Sequence, residues 1–388
     1  MRVLRICIVS LDLLPSRSSG LAVYGETLVR GLVALGHDVT VVTSRRGGQL
    51  PYEIVEGVPV HRVPTWRADW IGFAHHAGRA VAGLGRAQPF DVVHFLDVHF
   101  AYGYRGRFVA GIFQSFRQRA TSDGGLPYHA NLRGLVGRMA YYNAARWLAE
   151  VPALRRADRL VASSQATADE FIAHYRADPA RISVVPLGID LGRFQRVDAT
   201  DLRARLGLAG NPLLLYVGFC TPRKGLDVLA RALPMLPPEA RLVVVGRWEA
   251  DYRQKFYRAA GCAAHKVVEV GQVPDADLAL YYSMADLFVF PTLLEGFGLP
   301  LVEAMACETP VVATRTSSVP EVLGPGGRVV PPKDPQALAA AITELLADPA
   351  SRRALGQSGR DWVLKRYDRA RMVADTLAVY DRFICDRA

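Results

Sequence analysis

Two glutamates, Glu295 and Glu303, bracket a glycine loop within Phe290 to Thr309, which reads FPTLLEGFGLPLVEAMACET. The apolar run Asp286 to Pro291 leads into a loop carrying Glu295. Gly296 and Gly298 flank Phe297, Pro300 follows, and Leu301, Val302, Met305 and Ala306 form an apolar stripe around Glu303. This order predicts strand, glycine loop and helix. Proline suits a helix start, where its missing N–H has no partner to lose and its φ is already helical. Free backbone N–H groups and the positive end of the helix dipole make the loop an anion site. With one carboxylate in the loop and one a turn into the helix, hydroxyl groups can be held on both sides of a bound phosphate. Such a pocket suits a sugar nucleotide.

A loop of this kind needs a sheet to hold it. Apolar, β-branched runs recur at Leu4–Ser10, Asp38–Ser44, Val58–Pro64, Asp91–Leu96, Gly111–Phe116, Arg159–Ser164 and Ile182–Leu187, with helical periodicity at Tyr24–Leu35, Ala68–Leu84 and Leu132–Leu154. After Gly188-Ile189-Asp190 the pattern restarts at Leu213–Val217, Arg241–Gly246, Lys266–Gly271, Asp286–Pro291, Pro310–Thr314 and Arg328–Pro331. Strands alternating with helices predict parallel sheets covered on both faces. A chain of 388 residues exceeds one ordinary core. The expectation is two doubly wound α/β domains, 1–189 and 190–388, with ligands bound between them beyond the carboxyl ends of the strands.

At Glu295-Gly296-Phe297-Gly298-Leu299 through Glu303 the chain resembles the retaining glycosyltransferases of family 4, whose pattern is E-G-F-G-L-x-x-x-E. The resemblance implies two Rossmann-like domains facing across a cleft (GT-B), an N-terminal acceptor domain and a C-terminal nucleotide-sugar domain. A terminal helix, about 370–388, is expected to cross back onto the first. Tyr216 to Gly225 is similar to the family's G-R-x-x-x-x-K-G donor segment: Lys224 and Gly225 match, whereas Phe219 stands where arginine is expected and Arg223 offers a second cation. A cation there neutralises charge growing on a diphosphate leaving group. The loops Gly246-Arg247-Trp248 and Gly271 to Pro274 border the base in relatives, with the backbone near Val273 pairing with it. Glu321 matches a family helix start, and a capping carboxylate would look the same.

In the first half, Ser19-Gly20 stands where relatives carry two glycines, and Gly20 again opens a helix. His94, in a D-V-V-H strand end, reads as a packed histidine; Asp97 and His99 lie beyond it and are acceptor-side candidates. Relatives carry a histidine on the next strand, Ile112 to Gln118. Arg117 takes its place here, and a guanidinium is not a base at neutral pH. It could hold an anionic acceptor or the diphosphate, or pair with Asp123 or Asp97. Gly124 to Asn131 reads as a loop over the cleft, and Tyr141, Tyr142 and Trp147 as core aromatics of the following helix.

The formal charge of +10 is uneven: residues 1–190 hold 22 Lys/Arg against 15 Asp/Glu, the remainder 25 against 22. Ten arginines and three acids lie between Arg105 and Arg159. That surface would attract an anionic acceptor or membrane face, although 42 Arg to 5 Lys also fits a GC-rich coding bias. No motif or aromatic-interleaved basic stripe points to nucleic acid. The five widely spaced cysteines argue against a disulfide framework or zinc site. Asp12 interrupts the N-terminal apolar run and no cleavage site follows it. No stretch reaches the roughly 18 to 20 apolar residues of a membrane helix. A cytoplasmic protein, with peripheral membrane contact compatible with its charge, is expected.

The resemblance as a whole implies retaining transfer from a nucleotide-diphosphate sugar to a small-molecule, glycan or lipid-linked acceptor. Lys224 and Arg223 would hold the diphosphate with the Gly298 helix end, Glu295 would orient the sugar, and Glu303 would bind the ribose. Arg117, Asp97 and His99 would face the acceptor. No positioned nucleophile is visible, which points to front-face transfer assisted by the leaving phosphate. No cofactor or metal is expected. A nucleotide-sugar epimerase or phosphorylase on the same fold, and a non-catalytic binding protein, are the alternatives.

Overall fold

The computed structural model describes residues 2–14, 19–65, 70–123 and 132–386; the expected loop Gly124 to Asn131 and part of the segment before Gly20 lie outside them. Met1–Ala120, Gly137–Gly188 and Arg369–Ala388 form one compact unit, and Thr121–Val136 with Ile189–Asp368 the other.

The first unit is built on β1 (Arg5–Val9), β2 (Asp38–Ser44), β3 (Tyr52–Val55), β4 (Val58–Val63), β5 (Val92–Phe95), β6 (Val109–Ile112), β7 (Arg159–Ala162) and β8 (Ile182–Val184), in the order β3-β4-β2-β1-β5-β6-β7-β8. Central strands such as β5 and β6 are buried along their whole length, which is why they read as continuous apolar runs. The sheet is parallel except at β3, which pairs antiparallel with β4 through the turn Glu56-Gly57, both residues at positive φ (51° and 81°). That turn geometry matches the twist of a tight hairpin. The sequence reading missed β3, a four-residue edge strand with no fully buried position.

Two further departures bear on function. The run taken as a strand to Phe116 or Gln118 ends at Ile112, and a helix begins at Phe116. Ser115 and Gln118 cap it reciprocally: the Ser115 N–H donates to Gln118 Oε1 at 3.2 Å and the Gln118 N–H to Ser115 Oγ at 3.0 Å. The helix expected over Leu132–Leu154 runs from Leu132 to Ala145, widens to a π-helical turn over Arg146–Glu150, and resumes at Val151–Arg156. Pro152 has no N–H to return to the Leu148 carbonyl, so the regular ladder is interrupted there. Trp147 and Tyr141, expected in the core, are 56% and 42% exposed. The last helix, Arg369–Cys385, belongs to this unit, where Tyr380 meets His94 Nδ1 at 2.7 Å. His94 is fully buried, and burial pushes its pKa down to about 3.

The second unit is a six-stranded parallel sheet of β9 (Leu213–Val217), β10 (Arg241–Val245), β11 (Val267–Gly271), β12 (Leu287–Phe290), β13 (Val311–Thr314) and β14 (Gly327–Val330), in the order β11-β10-β9-β12-β13-β14. The order reverses direction between β9 and β12, the place where such sheets open a ligand crevice at their carboxyl ends.

Candidate functional site

That switch point is where the glycine loop lies. β12 ends at Phe290 and the helix Leu299–Ala306 starts after Gly298, which has φ 98° and Pro300 in the first turn behind it. Leu301, Val302, Ala304, Met305 and Ala306 are buried, so the helix axis is set by its apolar face. Phe297 and Leu299 are buried too, with Phe297 packed on Tyr367 at 5.6 Å; they can reach a ligand only through backbone. The loop is held from behind. Thr314 and Thr316 hydroxyls donate to the Thr292 carbonyl, and Ser318 Oγ lies 3.3 Å from the Phe297 carbonyl.

Across from it stands the turn after β9, Pro222–Lys224, ending at Gly225. The two loops are joined by the Leu293 N–H donating to the Arg223 carbonyl at 2.8 Å and an Arg223 N–H donating to the Leu294 carbonyl at 2.9 Å. Gly225 has φ 67°, and a Cβ there would fall 2.0 Å from the Pro291 carbonyl oxygen. Only glycine allows this approach. As a result the Lys224 ammonium donates to Glu295 Oε2, with side chains 14% and 13% exposed. Burial tends to raise the Glu295 pKa, but Lys224, Arg223 and the Gly296 N–H together hold it below the usual carboxylate value. Burial and Arg223 lower the Lys224 pKa against the pull of Glu295. The result is a buried ion pair beside the N-terminus of the helix.

Glu303 sits apart from that pair. The Tyr282 hydroxyl donates to its Oε2 at 2.7 Å. Burial pushes its pKa up to about 7, with Tyr282 and Arg193 opposing and Asp275 adding to the rise. Arg193 lies 3.7 Å from Asp275. The carboxyl therefore has one oxygen engaged and changes charge near neutrality. Val273 follows β11, and Arg247 follows β10 with its guanidinium 5.0 Å over the ring of Phe219. One acidic D-x-D triplet is present, Asp275-Ala276-Asp277, in a short 3-10 turn. Among the described residues no group of three or more His, Cys, Asp or Glu is placed to hold a metal ion.

In the first unit the acceptor-side candidates converge on Phe116. Asp97 and His99 are buried and paired, Oδ1 to Nδ1, at 2.8 Å, and the His99 ring is 5.3 Å from that of Phe116. Arg117, on the helix rather than a strand, has its guanidinium 3.4 Å from both oxygens of Glu170, a partner the sequence reading did not name. Two more groups were missed. Glu150 accepts from the Phe116 N–H at 3.2 Å and from the Tyr175 hydroxyl at 2.5 Å, and the Arg117 N–H donates to that hydroxyl at 3.1 Å. Gly20 is the first residue of the helix Gly20–Ala34, capped by Ser19 Oγ accepting from the Ala22 N–H.

Residues 198–362 match the family model for glycosyl transferases group 1, and residues 18–193 the model for glycosyltransferase family 4. D-inositol 3-phosphate glycosyltransferase 1 of Catenulispora acidiphila is 34% identical over 87% of this chain and 85% of its own length. The chain belongs to the family 4 glycosyltransferases. Sucrose-phosphate synthase from Thermosynechococcus elongatus superposes with a TM-score of 0.85 over 99% of this chain and 100% of its own, at 24% identity. The Anabaena protein HepE, solved with UDP-glucose, does so at 0.75 over 97% and 99%, at 19% identity. The glycosyltransferase thus has the GT-B fold, in two parallel-sheet α/β units. No helix among its described residues is long and apolar enough to cross a membrane.

Proposed function

We propose that this glycosyltransferase is retaining and moves a sugar from a nucleotide-diphosphate sugar to an acceptor that carries an anionic group. The observation that carries the reading is the Lys224–Glu295 ion pair at the glycine loop, with Glu303 one turn into the helix behind it. Lys224 and Arg223 neutralise the diphosphate as the glycosidic bond breaks, Glu295 accepts from hydroxyls of the sugar, and Glu303 accepts from the ribose diol. HepE, with UDP-glucose bound, is a structural neighbour that supports the donor class. The reading assigns no cofactor or metal, since side-chain cations carry the positive charge.

Glu303→Ala is expected to weaken binding of the free nucleoside diphosphate more than Glu295→Ala, because a ribose contact acts in both ground and transition states. Calorimetry with UDP, GDP and ADP is the test; equal losses or the reverse order would count against the assignment. Parent affinity should also drop as pH falls through about 7, where Glu303 gains a proton, and Glu303→Gln should remove that component. Product anomeric configuration by NMR checks retention.

The acceptor reading rests on Arg117, whose fork matches phosphate or carboxylate oxygens, and on the relative named for D-inositol 3-phosphate. Arg117→Gln should raise acceptor KM by about tenfold or more, the scale of one charge-assisted hydrogen bond, and spare donor hydrolysis. The effect should shrink with added salt. Unchanged acceptor kinetics would leave Arg117 as a structural partner of Glu170. Soluble phosphorylated polyols and lipid phosphates in vesicles are the two acceptor sets to compare, since Trp147 and Leu148 are exposed in the arginine-rich unit.

A further inference from the structure

The charge balance at the glycine loop leaves a gap. Lys224 is already paired with Glu295, and Arg223, which shares in holding Glu295 ionised, donates to the Leu294 carbonyl. Two cations against one carboxylate leave a single net positive charge for a diphosphate that gains negative charge as it departs. A third cation stands on the neighbouring loop. Arg247 is exposed, and among the described residues it pairs with no carboxylate; its contact is the face of Phe219, at 5.0 Å.

The loops bearing these two residues are locked together beyond the ends of β9 and β10. The Gly218 N–H donates to the Val245 carbonyl at 2.9 Å, the Cys220 N–H to the Arg247 carbonyl at 2.8 Å, and the Glu249 N–H to the Cys220 carbonyl at 3.0 Å. The buried Tyr216 hydroxyl donates to the Phe219 carbonyl at 3.3 Å, and Tyr216 senses the charges of Glu295 and Arg223. Phe219 is therefore fixed at the end of the strand that delivers Lys224. Its side chain is nonetheless 44% exposed, an apolar ring kept in water on a rigid loop. Stacking a guanidinium on it restricts a long side chain while leaving its N–H donors free.

We propose that Arg247, held on the Phe219 ring, is a donor-binding cation that contacts the distal phosphate of the nucleotide sugar. This rests on the nucleotide-sugar reading and adds a specific ligand atom to it. Phe219 acts as a positioning residue for the Arg247 guanidinium.

Calorimetry with UDP, GDP, ADP and the matching monophosphates tests it on the full chain. For whichever diphosphate the parent binds, Arg247→Gln should weaken affinity by about tenfold or more, as expected for one charge-assisted contact, and change monophosphate affinity by less than about threefold. Phe219→Ala should cause a smaller diphosphate-selective loss, by freeing the guanidinium. Phe219→Arg in the Arg247→Gln background should recover diphosphate affinity, since it returns a cation to the loop locked against that of Arg247. Diphosphate affinity within about twofold of the parent in Arg247→Gln, or equal losses for mono- and diphosphate, would overturn the inference and leave the nucleotide-sugar reading standing. A parent that binds none of the three diphosphates would overturn both.

Discussion

Replacing Lys224 with alanine is expected to lower kcat by about 10²-fold or more, the scale for removing one preorganised charge stabiliser. The ammonium is fixed where Gly225 lets its loop touch the Pro291 carbonyl, so no reorganisation is needed when charge develops on the leaving group. The loss has a second source. Glu295 would remain buried with Arg223 and the Gly296 N–H as its stabilisers, and its pKa would rise. As that carboxyl takes up a proton it no longer only accepts from the sugar hydroxyls, so the acid limb of the Lys224→Ala pH–rate profile should lie at higher pH than the parent's. Because the two side chains touch, the Lys224→Ala/Glu295→Gln double variant should lose less than the sum of the single losses. Turnover of Lys224→Ala within a few-fold of the parent would assign the charge to Arg223 and Arg247 instead.

The loop-to-helix junctions of the second unit were legible because their constraints are local. Gly298, Pro300 and the Leu301–Ala306 stripe specify a loop-to-helix junction within a few residues, and Gly225 follows Lys224 directly. The parallel strands were legible for the same reason: burial on both faces leaves continuous apolar runs such as Leu213–Val217. What escaped is long-range. Tyr282 stands 21 residues from the Glu303 it binds, and Glu170 lies 53 residues from Arg117. Neither pairing leaves a spacing signal. The helix at Phe116 did leave one, Ser115-x-x-Gln118, which the apolar run through Phe116 hid. Glu150 was lost differently. It sits within a helical pattern, where a glutamate reads as solvated, and the π-helical turn beside Pro152 places it in the core instead.

That burial makes Glu150 the source of a pH-dependent stability. The carboxyl is 1% exposed, and burial pushes its pKa up to about 8. The nearby Asp97 charge acts in the same direction; Tyr175, the Phe116 N–H and Arg119 act against it. The folded chain keeps a proton there that the unfolded chain releases near the ordinary glutamate value of about 4.3. Folded protein binds more protons through that window, so the contribution of Glu150 is fully present below the unfolded pKa and is lost as pH rises through about 8. At ~1.4 kcal/mol per pKa unit the span is several kcal/mol. Glu150→Gln keeps a neutral acceptor for the Phe116 N–H and has no proton to lose. The midpoint of the variant minus that of the parent should therefore climb steadily between about pH 5 and 8, and taking the difference cancels Glu303 and every other shared group. A difference that stays flat across that range would mean Glu150 is ionised in the folded protein, with Arg119 and the capping donors outweighing its burial.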